Sequence, residues 1–506
     1  MTVAPKPDRT DEGAERPGGA RRETASGFFR RTVDVSPLRL VILVLVAGAF
    51  ATLDIRAGIG PHDEGLMLQW GHRIASGEWP YRDFWCNYLP GQPLVQALLG
   101  DSLVTWRILR ALVAGVAAML AYLLVRRETT NDRWALAAYA GVAAAMAWPL
   151  TPGPNASAVT LAFGTLLAAR RHARSAGVLA GLAFLFRPEI GVAAAIGAWV
   201  LSGRRPAALW AAAAVALAGM APFLVVSPGD FLSQTFGFAG EQRLQRLPFP
   251  LAPHTTDPNK VLERVFPAIL VAGTLLWAAA ALPRRRGGAL VALLLAGLAY
   301  LLARTDEFHL LPLAAILAVA LAAAAAREER RLVQVTLAAA LALIVLHGLD
   351  RQLGKLTDAG GLSAIDLDSA DGVRTGQKDA QALKELAAAV DRRSRPGDLL
   401  LSAPPRYDRV RVGDTLLYTL LNRRDPTRYD VVQPGVVTTA KVQREMRADL
   451  ERTRTPLVVR WLAPVARQTE DNGSGRSSGV TLLDTYIDTH YRRVARYGDY
   501  LLLARH

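Results

Sequence analysis

The chain has 506 residues, of which 51% are hydrophobic and 20% charged, and it carries a formal net charge of +15. Its apolar residues are gathered into Ala-, Leu- and Val-rich runs separated by arginine clusters, and runs of about 20 residues can cross a hydrocarbon core of about 30 Å as helices. This excludes an ordinary soluble globular chain. Arginine loops facing anionic lipid account for the positive charge, and there is no alternating basic and aromatic groove to argue for nucleic acid as a partner. With a single cysteine, Cys86, no intrachain disulfide can form.

From the N-terminus, residues 1–36 carry Pro, Gly, Arg and Glu with almost nothing to bury, and read as a disordered cytoplasmic tail. The first apolar run begins too far into the chain for a cleaved signal and reads as an uncleaved anchor. Run length and flanking charge place spans at 38–54, 103–125, 134–150, 155–169, 174–186, 189–202, 207–226, 264–282, 287–303, 308–326 and 331–349. The fold class that follows is a polytopic α-helical membrane protein of about eleven spans, with a catalytic domain over 37–350 and a small extracytoplasmic α/β domain over 351–506. With the tail inside, Arg126-Arg127, Arg170 to Arg174, Arg204-Arg205, Arg284 to Arg286 and Arg327 to Arg331 all fall on the cytoplasmic side, as the positive-inside rule requires. The expected location is therefore the plasma (inner) membrane, multi-pass, with outer loops at 55–102 and 227–263. The two short spans around Arg187-Pro188-Glu189 could equally be one broken or tilted element.

In the first outer loop the spacing predicts a helix over Glu64 to Ser76 with Leu66, Trp70 and Ile74 on one stripe, lying along the interface, and a short helical piece over Pro93 to Leu99. Beyond 350, helices are predicted at Gln377 to Arg392, Asp414 to Asn422 and Thr438 to Arg452. Strands are predicted at Asp398 to Ser402, Tyr429 to Val432 and Pro456 to Trp461, with a terminal hairpin turning at Gly498-Asp499. The composition of Gln468 to Gly479, rich in Gly and Ser, predicts a mobile polar loop.

Four polar clusters fall on the outer side. In Gly60-Pro61-His62-Asp63-Glu64-Gly65, a carboxylate beside the membrane can take a proton from a sugar or lipid hydroxyl or hold a divalent cation near a phosphate; capping of the following helix is the simpler reading of the pair. Arg304-Thr305-Asp306-Glu307-Phe308-His309 groups a guanidinium, two carboxylates and an imidazole where polar residues are costly: Arg304 with His309 suits a phosphate, and Asp306 can orient either. Arg187 and Glu189 interrupt apolar sequence and either pair with each other or face a phosphate. The loop Gln234 to Lys260, with Glu241, Arg243, Arg246 and His254, is longer than a hairpin needs and reads as a lid or acceptor platform. No Walker loop, dinucleotide fingerprint, nucleophile elbow or paired-cysteine site occurs. No cofactor is indicated, and a divalent cation stays an open alternative. A transporter or flippase for a lipid-linked saccharide is the competing class, although its ionisable residues would sit near the midplane and its halves would repeat.

These residues resemble the GT-C superfamily of integral membrane glycosyltransferases, especially the bacterial branch with the protein-mannosyltransferase and aminoarabinose-transferase type of core. The resemblance lies in Pro61-His62-Asp63-Glu64-Gly65, Gly77-Glu78-Trp79-Pro80-Tyr81-Arg82-Asp83-Phe84, Leu89-Pro90-Gly91, Phe186-Arg187-Pro188-Glu189, Arg304-Thr305-Asp306 with His309, and the loop ending Leu247-Pro248-Phe249-Pro250; it covers the membrane portion to about residue 350. It implies inverting transfer of a sugar from a polyprenyl-phosphate donor to an acceptor hydroxyl on lipid, polysaccharide or protein at the outer face. Asp63 is then the expected general base, while Glu64 and Asp83 would position the base, the acceptor or a metal. Arg187, Arg304 and His309 are expected on the donor phosphate, with His62, Arg82, Glu189, Asp306 and Arg243 as further site candidates.

Overall fold

The computed structural model describes residues 35–53, 55–147, 153–238, 246–247, 261–283 and 287–506. Residues 1–34 of the predicted tail, Arg243, His254 and the Arg284 to Arg286 cluster lie outside these residues.

A helix occupies each of the predicted spans. They are α1 (Pro37–Ala51), α4 (Leu103–Arg126), α5 (Asp132–Ala147), α6 (Asn155–Ala168), α7 (Ala173–Phe186), α8 (Pro188–Leu201), α9 (Ala207–Val226), α11 (Val261–Ala281), α12 (Gly288–Ala303), α13 (Glu307–Ala325) and α14 (Arg331–Asp358). Two lie in the first loop, α2 (Asp63–Ala75) and α3 (Gly91–Leu99), and a short α10 (Pro228–Leu232) follows α9. Four of these helices, α4, α9, α13 and α14, are long and apolar enough to cross a membrane unaided, and six shorter apolar ones pack among them. At 14 residues, α6 is about 21 Å long, less than the hydrocarbon thickness.

Local chemistry sets the helix ends. Ser36 and Ser102 accept the backbone N–H of Arg39 and Thr105 at the starts of α1 and α4. At Pro188 the ring denies the helix a donor and pushes the preceding residue out of the α region, so Arg187 is extended (φ −146°, ψ 105°) and α7 and α8 are separate helices. The sequence left a broken element open here, and the break is real. The bundle core is built largely of Ala with Leu and Val, including Ala114, Ala118, Ala162, Ala194 and Ala318, all but buried, and such small residues let helix backbones approach closely in lipid.

At one end of this bundle the arginine clusters meet one another. Arg127 donates to the Leu167 carbonyl, Arg327 pairs with Glu128, and Arg39 and Arg126 both pair with Asp132. The first loop and the C-terminal residues lie together at the other end.

The C-terminal part is α/β, as expected. A four-stranded sheet has the order β3-β4-β6-β5, where β3 (Leu400–Ala403) runs parallel to β4 (Leu457–Trp461), β6 (Tyr500–Arg505) is antiparallel to β4, and β5 (Tyr491–Tyr497) with β6 forms the terminal hairpin. Helices α15 (Gln377–Asp391), α16 (Leu416–Leu421), α17 (Ala440–Thr453) and α18 (Leu482–His490) accompany it. A small antiparallel pair, β1 (Leu362–Ala364) with β2 (Arg374–Gly376), precedes it. The sequence reading missed this pair and α18.

Tyr429 to Val432 is not a strand. It is a buried irregular stretch whose backbone partners come from elsewhere: the Arg428 carbonyl accepts the Trp85 N–H at 2.7 Å, and the Asp430 carbonyl accepts the Thr415 hydroxyl at 3.1 Å. Docking against the first loop has replaced sheet pairing. Nor does α2 have one buried stripe and one open face. Leu66 and Trp70 sit in one apolar cluster while Leu68 sits in another, because α3 covers one flank and α16 another. Both flanks depend on glycine. A Cβ at Gly71 would come within 2.4 Å of Gln96, and one at Gly65 within 2.1 Å of the Leu416 nitrogen. The Pro61 carbonyl accepts the N–H groups of Thr415 and Leu416 at 3.0 and 2.9 Å, and Arg73 on α2 forms ion pairs with Glu78 and the buried Asp430 at 2.7 and 3.0 Å. The first loop and the C-terminal α/β region thus share one core.

Candidate functional site

The start of α2 splits its two carboxylates. Glu64 is 2% exposed, with one oxygen 2.7 Å from Arg107 Nε and the other 2.7 Å from Arg107 Nη2 and 3.0 Å from the Gly60 N–H. Arg107 also donates to the Ile55 and Gly58 carbonyls, so this bidentate pair holds the Gly60–Pro61 turn against α4. Asp63, next in line, is half-buried and shares its surroundings with other groups.

Those groups gather around Tyr88. The Tyr88 hydroxyl has its pKa pushed up to about 12, first by burial and then by the carboxylates of Asp63 and Asp306, against the pull of Arg187. One side chain therefore feels charges from three of the predicted clusters, carried by the first loop, the α7–α8 break and the α12–α13 turn. Arg187 leaves the α7–α8 break with its guanidinium 4.2 Å from the ring centre of Tyr300 and 5.7 Å from that of Tyr88. Its Nε lies 2.7 Å from Asn155 Oδ1 and 3.5 Å from Glu189. Asn155, at the start of α6, turns its amide nitrogen toward the Tyr300 hydroxyl and the Phe308 carbonyl, at 3.4 and 3.3 Å. Stacking of guanidinium on tyrosine faces retains its positive charge while most of its surface leaves water.

The α12–α13 turn is fixed by Asp306. Its Oδ1 accepts the backbone N–H groups of Phe308 and His309, both at 3.1 Å, capping α13, and meets His309 Nδ1 at 2.5 Å; its Oδ2 meets Arg304 Nε at 2.5 Å. Burial alone would raise the Asp306 carboxyl, but His309 and Arg304 outweigh it and hold it well below the usual carboxylate range. The His309 ring stacks on Tyr300, centroids 4.3 Å apart, so the Arg187 and Arg304 groups meet through Tyr300, His309 and Asp306.

The C-terminal region completes the arrangement. Arg304 Nη2 reaches the two oxygens of Glu470 at 3.0 and 3.2 Å, and Arg411 Nε reaches one of them at 2.7 Å. Arg411 and Asp63 both act on His62, whose imidazole has its pKa lowered, first by burial, with Asp63 opposing. The segment predicted to be mobile is, around Glu470, packed onto the bundle, with the Glu470 side chain 7% exposed.

The structure thus draws together His62, Asp63, Arg187, Glu189, Arg304, Asp306 and His309. Glu64 is adjacent but committed to Arg107. Asp83 and Arg82 are engaged elsewhere, with each other at 2.7 and 2.8 Å and, for Asp83, with the Trp79 N–H at 2.8 Å. Reading the sequence singled out neither Asn155 nor Tyr300 nor Arg411 nor Glu470. Asn155 was signalled, as the one amide following Pro152-Gly153-Pro154 at the mouth of an apolar helix, and Tyr300 sits one turn before Arg304. Nothing local marks Arg411 or Glu470. Among the described residues no group of three or more His, Cys, Asp or Glu is placed to hold a metal ion.

Chemically, the arrangement offers a carboxylate beside a set of cations at one end of an apolar bundle: a proton acceptor next to a place for an anion. No family model matches the chain, and no curated protein matches it by sequence. Its fold is similar to that of ArnT from Cupriavidus metallidurans bound to undecaprenyl phosphate, with 16% identity over 92% of this chain and 97% of that one and a TM-score of 0.51. The mycobacterial arabinofuranosyltransferase AftD is also similar, at 16% identity over 94% of this chain but 40% of AftD, with a TM-score of 0.48.

Proposed function

We propose that this chain, which has the polytopic fold of the GT-C membrane glycosyltransferases, is itself such an enzyme and moves a sugar from a polyprenyl-phosphate donor to an acceptor hydroxyl. The observation that carries the reading is the continuous set of contacts that joins Arg187 to Arg304 through Tyr300, His309 and Asp306, at 4.2, 4.3 and 2.5 Å, with Arg187 also lying over the ring of Tyr88, whose hydroxyl feels Asp63.

In this reading Asp63 accepts the proton of the acceptor hydroxyl as its oxygen attacks the anomeric carbon. The bond from that carbon to the phosphate oxygen breaks on the opposite face, so the configuration inverts, and polyprenyl phosphate departs with the bonding electron pair. A phosphate monoester is a workable leaving group without a nucleotide, provided cations meet the charge that develops on it. Arg187 and Arg304 supply that charge, with His309 as the neighbouring donor. Asp306 keeps both Arg304 and His309 oriented, as Asn155 and Glu189 do for Arg187. Glu64 acts on Asp63 only by fixing the turn that presents it. Asp83 and Arg82 take a structural part in the first loop.

Support for an extracytoplasmic site comes from the arginine clusters at the opposite end of the bundle, since basic loops are retained in the cytoplasm. That orientation puts the C-terminal region outside, over the site. The test is transfer of radiolabelled sugar from a panel of polyprenyl-phosphate sugars, in membranes containing the protein or its Asp63→Asn form. Label moved only by the unmutated protein is the expected result. Absence of transfer from every donor by a folded, inserted protein would favour the transporter class instead.

A further inference from the structure

Glu470, in the C-terminal region, reaches a bundle cation of the site described above: its carboxylate bridges Arg304 of the α12–α13 turn, at 3.0 and 3.2 Å, and Arg411 of the C-terminal region, at 2.7 Å. A carboxylate held by two guanidiniums has the geometry and charge with which arginine pairs bind phosphate oxygens. We propose that Arg304 and Arg411 form a joint phosphate-oxyanion site between bundle and C-terminal region, and that Glu470 is its built-in competing ligand, displaced when the phosphate enters. The proposal rests on the polyprenyl-phosphate reading and adds to it a further binding residue, Arg411, and a latch.

Charge balance favours an exchange. Arg304 and Arg411 share the Glu470 carboxylate, and Asp306 also holds Arg304. A donor phosphodiester carries one negative charge, as the Glu470 carboxylate does, so replacing one by the other leaves the buried balance unchanged. Adding a phosphate without releasing Glu470 would place a second negative charge on the same two guanidiniums, against the first. Asp306 cannot be the group that leaves, because it also caps α13 through two backbone N–H groups.

The segment carrying Glu470 is a self-contained turn outside the sheet. It turns on itself through the Glu470 N–H to Ser474 carbonyl and Gly473 N–H to Glu470 carbonyl bonds, at 3.0 and 2.9 Å. Left-handed Gly473 and Gly475 lie within it and Gly479 follows (φ 86°, 82° and 77°). Its far end is tethered to Asp408 by Ser477 Oγ at 2.5 Å and the Ser478 N–H at 2.9 Å. Swinging Glu470 away therefore breaks its arginine contacts while both ends of the segment stay anchored, the near end through the Arg411 N–H on the Ala466 carbonyl at 2.8 Å.

The experiment measures equilibrium binding of decaprenyl phosphate to the full chain in nanodiscs, for the unmutated protein, Glu470→Gln, and Glu470→Gln with Arg411→Ala. Glu470→Gln keeps the shape and removes the charge, and is expected to bind about tenfold more tightly; adding Arg411→Ala should reverse this by about tenfold or more. In parallel, trypsin cleavage after the exposed Arg476 should accelerate when decaprenyl phosphate binds the unmutated protein, a readout that needs no variant. Binding that is equal or weaker in Glu470→Gln, or cleavage unchanged by saturating lipid, makes Glu470 a static brace and overturns the latch alone. Binding by neither protein overturns the donor reading together with the latch.

Discussion

The two ends of the helix bundle are both rich in charge and use it in opposite ways. At the arginine end, Arg39, Arg126 and Arg327 close onto Asp132 and Glu128, and each pair joins neighbouring helix ends. At the other end, side chains from the first loop, α6, the α7–α8 break, the α12–α13 turn and the C-terminal region enter one network. On the proposed function, the difference separates charge that orients a membrane protein from charge that does chemistry. The first kind forms separate pairings, each between two helix ends. The second joins side chains from several elements in one continuous set of contacts.

If the convergent end is the catalytic one, the largest effect belongs to Asp63. Asp63→Asn is expected to lower transfer by about 10²–10⁴-fold, the range for removing a general base, with thermal stability unchanged. Its neighbour should behave in the reverse manner. Breaking the buried Glu64–Arg107 pair by Glu64→Gln or Arg107→Ala removes a bidentate buried ion pair, at a cost of up to about 3–5 kcal/mol. These variants should therefore be lost mainly as folded protein, and whatever folds should retain measurable transfer. Thermal unfolding in detergent alongside specific activity separates the two; a stable but inactive Glu64→Gln would move Glu64 into the chemistry.

The contrast between Asp63 and Glu64 also marks how far the sequence can be read. Run length and flanking arginines located the bundle helices, because hydrocarbon thickness imposes a length and topology imposes a charge asymmetry, and both are written locally. The same holds for Arg187, Arg304, Asp306 and His309: an ionisable residue in an apolar run announces itself. The pair at 63–64 looked equivalent because the residue that separates them, Arg107, is more than forty positions away on α4. Arg411 and Glu470 were invisible for the same reason, and in their domain charged residues are ordinary. Tyr429 to Val432 has the apolar alternation of a strand, but a pattern says only that a stretch is buried, and here the first loop, rather than a neighbouring strand, buries it.

A smaller effect tests whether the C-terminal region is a passive cover with its own internal strain. Asp414 is buried at 3% exposure, accepts the Tyr500 hydroxyl at 2.9 Å and the Leu417 N–H at 3.2 Å, and burial pushes its pKa up to about 7. That lies above the unfolded value of about 3.9, so the folded state holds a proton that the unfolded state has already released. The stability contributed by this carboxyl is complete below about pH 4 and is lost as pH rises through about 7. Asp414→Asn, which never ionises, should raise the unfolding temperature by about 3 °C or more at pH 8 and by about a third as much at pH 5, where the unfolded carboxyl has already begun to lose its proton. An equal shift at both pH values would mean that Asp414 is ionised in the folded protein throughout.

The smallest effect is expected at the arginine end, and it tests the comparison most directly. Arg39 and Asp132 are 42% and 37% exposed, and Asp132 keeps Arg126 and the Tyr122 hydroxyl as partners, at 3.4 and 2.7 Å, when Arg39 is removed. An exposed pair of this kind is worth under about 1 kcal/mol, so Arg39→Ala should barely alter unfolding. Transfer should stay within about twofold, since the Asp63 network lies at the far ends of the same helices. A large loss of transfer in a normally inserted Arg39→Ala protein would require that α1 and α4 carry strain from the arginine end to Arg107 and thence to the turn bearing Asp63. The two ends would then be one coupled system rather than an anchor and a site.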